Sequence, residues 1–220
     1  MIDLLADYGD MIVEGLYRTL ILTLAGFFLG FAISILLTLV RFAGGPPLAI
    51  LAEAYINFFR GTPLLVQLFL IFFGLPSLGV RLDAFTSSMI ALGMNSGAYQ
   101  AEILRVAVKG IPEEQLLVGR SLGLSEAQVL RHVVLPQAVR NSLPGLANEI
   151  VILLKQSSLA SVIGVMELTR VGEYMTSATF RALEAYLLVA LVYLAVSYAF
   201  FKLLRRTEKT LAIPGFERWV

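Results

Sequence analysis

The chain has no cysteine and a single histidine. Disulfides and thiolate metal sites are thereby excluded, and no cluster of residues has metal-ligand spacing. Charge is scarce as well. Only 15% of the 220 residues are Asp, Glu, Lys or Arg, against about 25% in an ordinary soluble domain. The net charge of +1 gives no basic footprint for nucleic acid. No Gly-x-x-x-x-Gly-Lys-Ser/Thr loop occurs, so the chain lacks that device for cradling nucleotide phosphates. The N-terminus has no basic region ahead of a cleavable apolar run. It opens instead with Asp3, Asp7, Asp10 and Glu14, so no removable signal peptide is expected. Internal repeats and low-complexity segments are also missing.

What fills the chain is apolar: 58% hydrophobic residues and a mean hydropathy of +0.81. A membrane span needs roughly 20 apolar residues. The runs predict five spans, at about 16–40, 48–75, 84–104, 143–165 and 185–204. An all-α polytopic membrane protein follows, with residues 1–220 as one transmembrane domain and a polar loop over 105–140. In the first span Thr19, Thr23, Gly26, Gly30, Ser34 and Thr38 form a stripe of small residues, which allows close helix approach in lipid. The turn Ala43-Gly-Gly-Pro-Pro47 ends that span. Arg60-Gly-Thr-Pro63 interrupts the second, so a kink is expected there, with its freed carbonyls facing protein or water. The third carries Gly93-x-x-x-Gly97, and Asn95, Tyr99 and Glu102 share one of its faces. Two short helices are predicted around Gly123, with Ser125 as N-cap of the second and Pro136 closing the segment.

Charge placement predicts the sidedness. The 105–140 loop holds Arg105, Lys109, Arg120, Arg131 and Arg140, and the C-terminal tail holds Lys202, Arg205, Arg206 and Lys209. Both belong in the cytoplasm by the positive-inside rule. The acidic N-terminus and the Glu167–Glu184 loop belong outside.

Four stretches carry more than hydropathy. They are Phe59-Arg-Gly-Thr-Pro-Leu-Leu-Val-Gln67, Asn95-Ser-Gly-Ala-Tyr-Gln-Ala-Glu-Ile103, Gly123-Leu-Ser with Val133-Val-Leu-Pro-Gln-Ala138, and Leu154-Lys-Gln-Ser-Ser-Leu-Ala-Ser-Val-Ile163. In order and spacing they resemble signatures of the permease subunits of polar amino-acid importers in the ATP-binding-cassette superfamily. The resemblance covers about residues 15–210. It implies a prokaryotic cytoplasmic (inner) membrane protein, N-terminus outside and C-terminus inside, that translocates polar amino acids by alternating access. The implied partners are a second permease copy or paralogue, a cytoplasmic ATPase dimer that binds the ATP and magnesium, and an extracytoplasmic amino-acid-binding protein. This chain would hold no cofactor and perform no catalysis. The resemblance makes the 105–140 loop a coupling element centred on Gly123, Leu124, Ser125, Glu126 and Gln128, with Pro136 behind it. One departure stands out. Where such loops carry Glu-Ala-Ala, this chain has Leu117-Val118-Gly119.

Residues expected at a substrate site are those whose polarity is costly in a span. Glu149 leads, because an ionisable group there costs roughly 2.5–3.5 kcal/mol on insertion scales. It is read either as a carboxylate for an ammonium or basic group, or as half of an ion pair with Lys155 or an arginine. Asn148 and Gln156 extend its polar face. Asn95 and Tyr99 line the same cavity or bond between helices. Thr62 and Gln67 flank the kink and either bind solute or serve structure. Glu102 with Arg105 reads as a helix pair, Arg60 as an interfacial or paired arginine, and His132 as a surface residue. Two other functions compete: an ion-coupled secondary transporter or channel using Glu149, and an intramembrane hydrolase built on Lys155 and Ser158. Repeated halves, frequent in secondary transporters, are missing, and the hydrolase lacks an oxyanion site.

Overall fold

The computed structural model describes residues 2–43 and 45–211. Gly44, and the side chains of the tail residues Arg205, Arg206 and Lys209, lie outside the described residues. The described residues form α-helices α1 (Ile2–Ala43), α2 (Gly45–Gly61), α3 (Leu64–Phe69), α4 (Ala84–Lys109), α5 (Glu113–Ser121), α6 (Glu126–Val129), α7 (Leu135–Gln156), α8 (Leu168–Thr179) and α9 (Ala182–Leu211). A π-turn at Leu70–Gly74 and 3₁₀ turns at Leu75–Leu78 and Ser157–Ile163 extend α3 and α7, and a second π-turn, Leu130–Val134, leads into α7.

The small-residue stripe of α1 is a packed face, turned to α4 at Gly26 and Gly30 and to the start of α8 at Thr19, whose hydroxyl accepts from the Leu168 amide. Thr19, Thr23 and Ser34 are fully buried, and the hydroxyls of Thr19, Thr23, Ser34 and Thr38 all donate to carbonyls of their own helix. No polar proton is therefore left facing apolar neighbours. At Gly30 the two backbones touch: an added Cβ would lie 2.9 Å from the Gly97 amide nitrogen and 3.0 Å from the Gly93 carbonyl oxygen. In return Gly93 and Gly97 receive Leu29 and Ile33, whose side-chain carbons would sit 2.6 and 2.8 Å from an added Cβ. Helices lacking these glycines could not approach so closely.

This contact puts α4 at the centre. Its buried residues include Ser87, Ser88, Asn95, Ser96 and Gln100, more buried polar side chains than any other helix carries among the described residues. Asp83 caps it, accepting from the Thr86 amide at 3.0 Å. Among the described residues are four apolar cores, three of which include residues of α4. One joins α1, α3, α4 and α7 through Leu22, Leu68, Leu92 and Leu153. A second joins the start of α1 to α8 and α9 through Leu4, Met175 and Leu188. A third, with Ala107, Ile111, Val129, Val134 and Ala138, holds the loop together. The fourth packs Ile56 and Phe59 on Ala98 and Ala101.

Several boundaries differ from expectation. Helix α1 begins at Ile2, not near residue 16, because the acidic stretch continues the helix and buries Leu4 and Ile12 against α8 and α9. The expected kink in the second span is a bend of 107° at Thr62-Pro63. Pro136 does not close the loop but sits in the first turn of α7, where proline's missing amide proton is not needed. That helix therefore starts well before residue 143 and runs through Pro144. Among the described residues three helical stretches qualify as membrane spans by length and apolarity: Asp3–Arg41, Leu130–Ile163 and Ala182–Leu204. The bent pair Gly45–Gly61 and Leu64–Leu78 makes a fourth if it is one span. The count falls short of the five expected because α4, at 26 residues long enough, is too polar along its protein-covered faces.

The glycine contact yields a stability ranking. Gly30→Ala drives a methyl into backbone and is expected to destabilise by about 1–3 kcal/mol. Gly61→Ala, with nothing within 4 Å of the added carbon, is expected to be near neutral. Thermal unfolding of the two variants in detergent checks the order.

Candidate functional site

The bend between α2 and α3 leaves carbonyls with no helical donor, and two amides supply them. Gln67 Nε2 donates to the Phe59 carbonyl (2.9 Å), the Thr62 carbonyl (3.0 Å) and Thr62 Oγ1 (2.8 Å). Asn95 Nδ2, reaching from α4, donates to the same Phe59 carbonyl (2.9 Å) and to Gln67 Oε1 (3.0 Å). Thr62 Oγ1 itself donates to the Phe58 carbonyl at 2.8 Å. Both amides are almost wholly buried. The structure thus brings Asn95, expected beside Glu149 or in a bond between helices, to the kink residues Thr62 and Gln67, and their hydrogen bonds are spent on the elbow.

Glu149 faces the other side of α4. It is 4% exposed, and its Oε1 accepts from Ser96 Oγ at 2.7 Å. Ser96 in turn accepts from Gln100 Nε2 (3.0 Å), which also donates to the Phe27 carbonyl of α1 (3.1 Å). Gln100 Oε1 is buried without a partner among the described residues. No ion pair to Glu149 is present among the described residues, and Lys155 is exposed on another face of α7. Sequence reading missed Ser96 and Gln100, although both follow the Asn95 and Tyr99 it selected. The i, i+4 pair of hydroxyl and amide was the available signal.

The remaining expected residues divide. Asn148 is exposed, one residue and so about 100° around the helix from Glu149. Tyr99 is 36% exposed and lies under the guanidinium of Arg60, 5.4 Å from its ring centroid. Glu102 is more than a helix pair. Its carboxylate accepts from Arg105 (2.8 Å) and Arg41 (2.6 Å) and lies 3.6 Å from Arg60, while Arg41 also reaches Glu53 at 3.4 Å. The cluster ties α1, α2 and α4 at one end of the bundle. Ser158 Oγ donates to the Lys155 carbonyl at 2.7 Å, so that hydroxyl is not aimed at the lysine amine.

The loop is a separate site. Gly123 takes φ +81 between α5 and α6, a left-handed conformation that favours glycine. Ser125 and Gln128 form a reciprocal cap: the Ser125 amide donates to Gln128 Oε1 (2.8 Å), and the Gln128 amide approaches Ser125 Oγ (3.4 Å). Glu126 bonds Arg120 at 2.7 Å and holds its guanidinium above the usual arginine range. Gly119 has a packing role, since an added Cβ would meet Val129 at 3.2 Å. Leu117, Val118 and Leu122 stand exposed, and a cavity of about 340 Å³ opens beside Glu114, Val118, Gly119, Leu122 and Val133. His132 is exposed, its Nδ1 3.0 Å from the Gln128 carbonyl. At the opposite end of the bundle Glu167 caps α8, accepting from the Thr169 and Arg170 amides and from Tyr193 Oη; burial pushes its carboxyl above the usual range.

Replacing either elbow amide tests its role. Gln67→Leu takes the donor from the Thr62 carbonyl and Asn95→Leu takes it from Gln67 Oε1, at about 1–3 kcal/mol per unsatisfied group, while the Phe59 carbonyl keeps one donor in either single variant. Their effects should be strongly non-additive, because the two amides bond each other. A double-mutant cycle on detergent thermal stability measures this, and simple additivity would count against the shared network.

Residues 26–211 match the family model described as binding-protein-dependent transport system inner membrane component. The glutamine transport system permease protein GlnP of Escherichia coli (strain K12) is 40% identical over 205 residues, covering 92% of this chain and 94% of that protein. The L-cystine transport system permease protein TcyL of Bacillus subtilis (strain 168) is 34% identical over 214 residues, or 94% and 90%. Among solved structures, one described as an amino acid ABC transporter with histidines superposes with a TM-score of 0.89 at 38% identity, covering 93% and 96%. An inward-facing MetNI methionine ABC transporter matches at 0.81 and 20% identity, which speaks to fold alone. The ion-coupled reading finds no support in these comparisons. This chain, matched by family model from residue 26 to 211 and by relatives along nearly its whole length, belongs to the inner membrane components of binding-protein-dependent transport systems.

Proposed function

We propose that the chain is the membrane-spanning permease subunit of an ATP-binding-cassette importer for polar amino acids, working by alternating access. The observation that carries the reading is its identity with GlnP across nine tenths of both chains. In this reading the protein sits in the inner membrane with five spans, N-terminus outside. Helix α4 is the fifth, able to cross despite its polarity because protein rather than lipid covers it. The spans and the loop form one transmembrane domain.

The ATPase is a separate pair of subunits that binds ATP and magnesium. It docks on the 105–140 loop, where Gly123, Leu124, Ser125, Glu126 and Gln128 present a capped turn and Leu117, Val118 and Leu122 present apolar side chains to water. A binding protein delivers the amino acid from outside, and a second permease completes the membrane part.

Glu149 is the substrate-facing carboxylate of this subunit. Its burial without a cation supports that role, since a buried unpaired carboxylate is costly and an ammonium or guanidinium group would relieve it. Asn148 and Tyr99 flank the route, and Thr62, Gln67 and Asn95 shape its wall through the elbow.

The test uses the purified complex of permease, ATPase and binding protein in proteoliposomes. Uptake of radiolabelled L-glutamine and L-arginine should require ATP inside and binding protein outside. Glu149→Gln should weaken uptake about tenfold, the equivalent of one lost interaction of about 1.4 kcal/mol, with the complex still assembled. Uptake by this chain alone, driven by an ion gradient, would sink the reading.

A further inference from the structure

Helix α7 has a second polar face, of which only Asn148 has been given a role above. Its buried face carries Ala138, Ser142, Leu146, Glu149, Ile150 and Leu153. Its opposite face carries Asn141, Asn148 and Lys155 at intervals of seven residues, which places them within about 40° of one another around the helix. Asn148 and Lys155 are exposed, Asn141 is half-buried, and Pro144 between them is exposed as well. Lys155 has no ion pair or side-chain hydrogen bond among the described residues. The stretch Leu130–Ile163 is one of the three with the length and apolarity of a membrane span.

Lipid cannot cover such a face. A lysine and an asparagine within a membrane-spanning stretch face protein or water, and no described residue of this chain covers them. The other outward faces behave differently: α1 and α9 expose Phe28, Leu36, Leu191 and Leu194, all suited to hydrocarbon. We infer that the Asn141–Asn148–Lys155 face of α7 is one wall of a water-filled path, with Lys155 as its station for an anionic group, chemically the α-carboxylate of an amino acid. This rests on the proposed import function for the identity of the solute, but not for the water. Glu149 and Lys155 then lie on different faces of one helix, one suited to a cationic group and the other to an anionic one.

The lack of any native cysteine makes the test direct. Single-cysteine variants N148C, K155C, L36C and L194C are assembled with the ATPase partner and exposed to water-soluble methanethiosulfonates, one anionic and one cationic. Thiolates react where water reaches them. Cysteines at 148 and 155 should label, and those at 36 and 194 should not. At N148C, about 10.5 Å from Lys155 along the axis, the lysine should favour the anionic reagent. Adding K155Q should lower the anionic-to-cationic rate ratio about fourfold, a factor of about two for each reagent, while K155R should preserve it.

Unlabelled 148 and 155 in an assembled complex would overturn the path, and a ratio indifferent to K155Q would overturn the anionic station. Neither readout needs transport. A complex that labels as expected but imports no amino acid would therefore refute the import reading and leave the water-lined face standing, while the reverse result would refute only the face.

Discussion

Close approach of α1 to α4 is the constraint from which most of the molecule follows. Gly30 meets the backbone at Gly93 and Gly97 with no room for a methyl group, so the two helices lie almost backbone to backbone. That contact buries one side of α4, and α2, α3 and α7 bury the rest. Once enclosed, α4 no longer needs to be apolar. Its Asn95, Ser96 and Gln100 can each reach a different neighbouring helix, and the same enclosure explains why the centre of the bundle is its least hydrophobic span.

The polar interior has a consistent first use, which is to satisfy backbone. Two amides cover the carbonyls freed at the α2–α3 elbow, and the α1 hydroxyls return to their own helix. In a span this is the expected order of demand, because an unpaired carbonyl in hydrocarbon costs several kcal/mol. Polar residues become informative about solute only after that demand is met. Glu149 passes this filter: it serves no carbonyl and pairs with no cation among the described residues.

Much of this was legible in residue order. The small-residue stripe of α1 is its packed face, Arg60-Gly-Thr-Pro63 is the break, and Gly123 with Ser125 is the turn and cap in the loop. What was hidden depends on tertiary contact. Hydropathy places the start of a span near residue 16, but it does not reveal that Leu4 and Ile12 extend the helix to pack on α8 and α9. Proline reads as a terminator, whereas Pro136 opens a helix, because its effect depends on which turn it occupies. Glu102 reads as half of a pair with Arg105, since Arg41 and Arg60 come from 61 and 42 residues away in sequence. Thr62 and Gln67 were read at the kink and Asn95 beside Glu149, and nothing in their spacing showed that all three serve one bent backbone.

The placement of α7 gives the mechanism its continuity. Through Val134 and Ala138 the helix and its leading turn are rooted in the core that also fixes α6 and the end of α4. From there it runs 22 residues, about 33 Å, and presents Glu149 inward and Lys155 outward near its far end. In the proposed reading, a push on the loop is passed along this helix to both charged groups. The motion would carry Glu149 past Ser96 on α4, which α1 holds fixed through the glycine contact. In that reading α7 shifting against α4 is the two-state element that alternating access requires. The arginines around Glu102 bind α1, α2 and α4 together at one end of the bundle, and in the same reading those three helices form the frame against which α7 shifts.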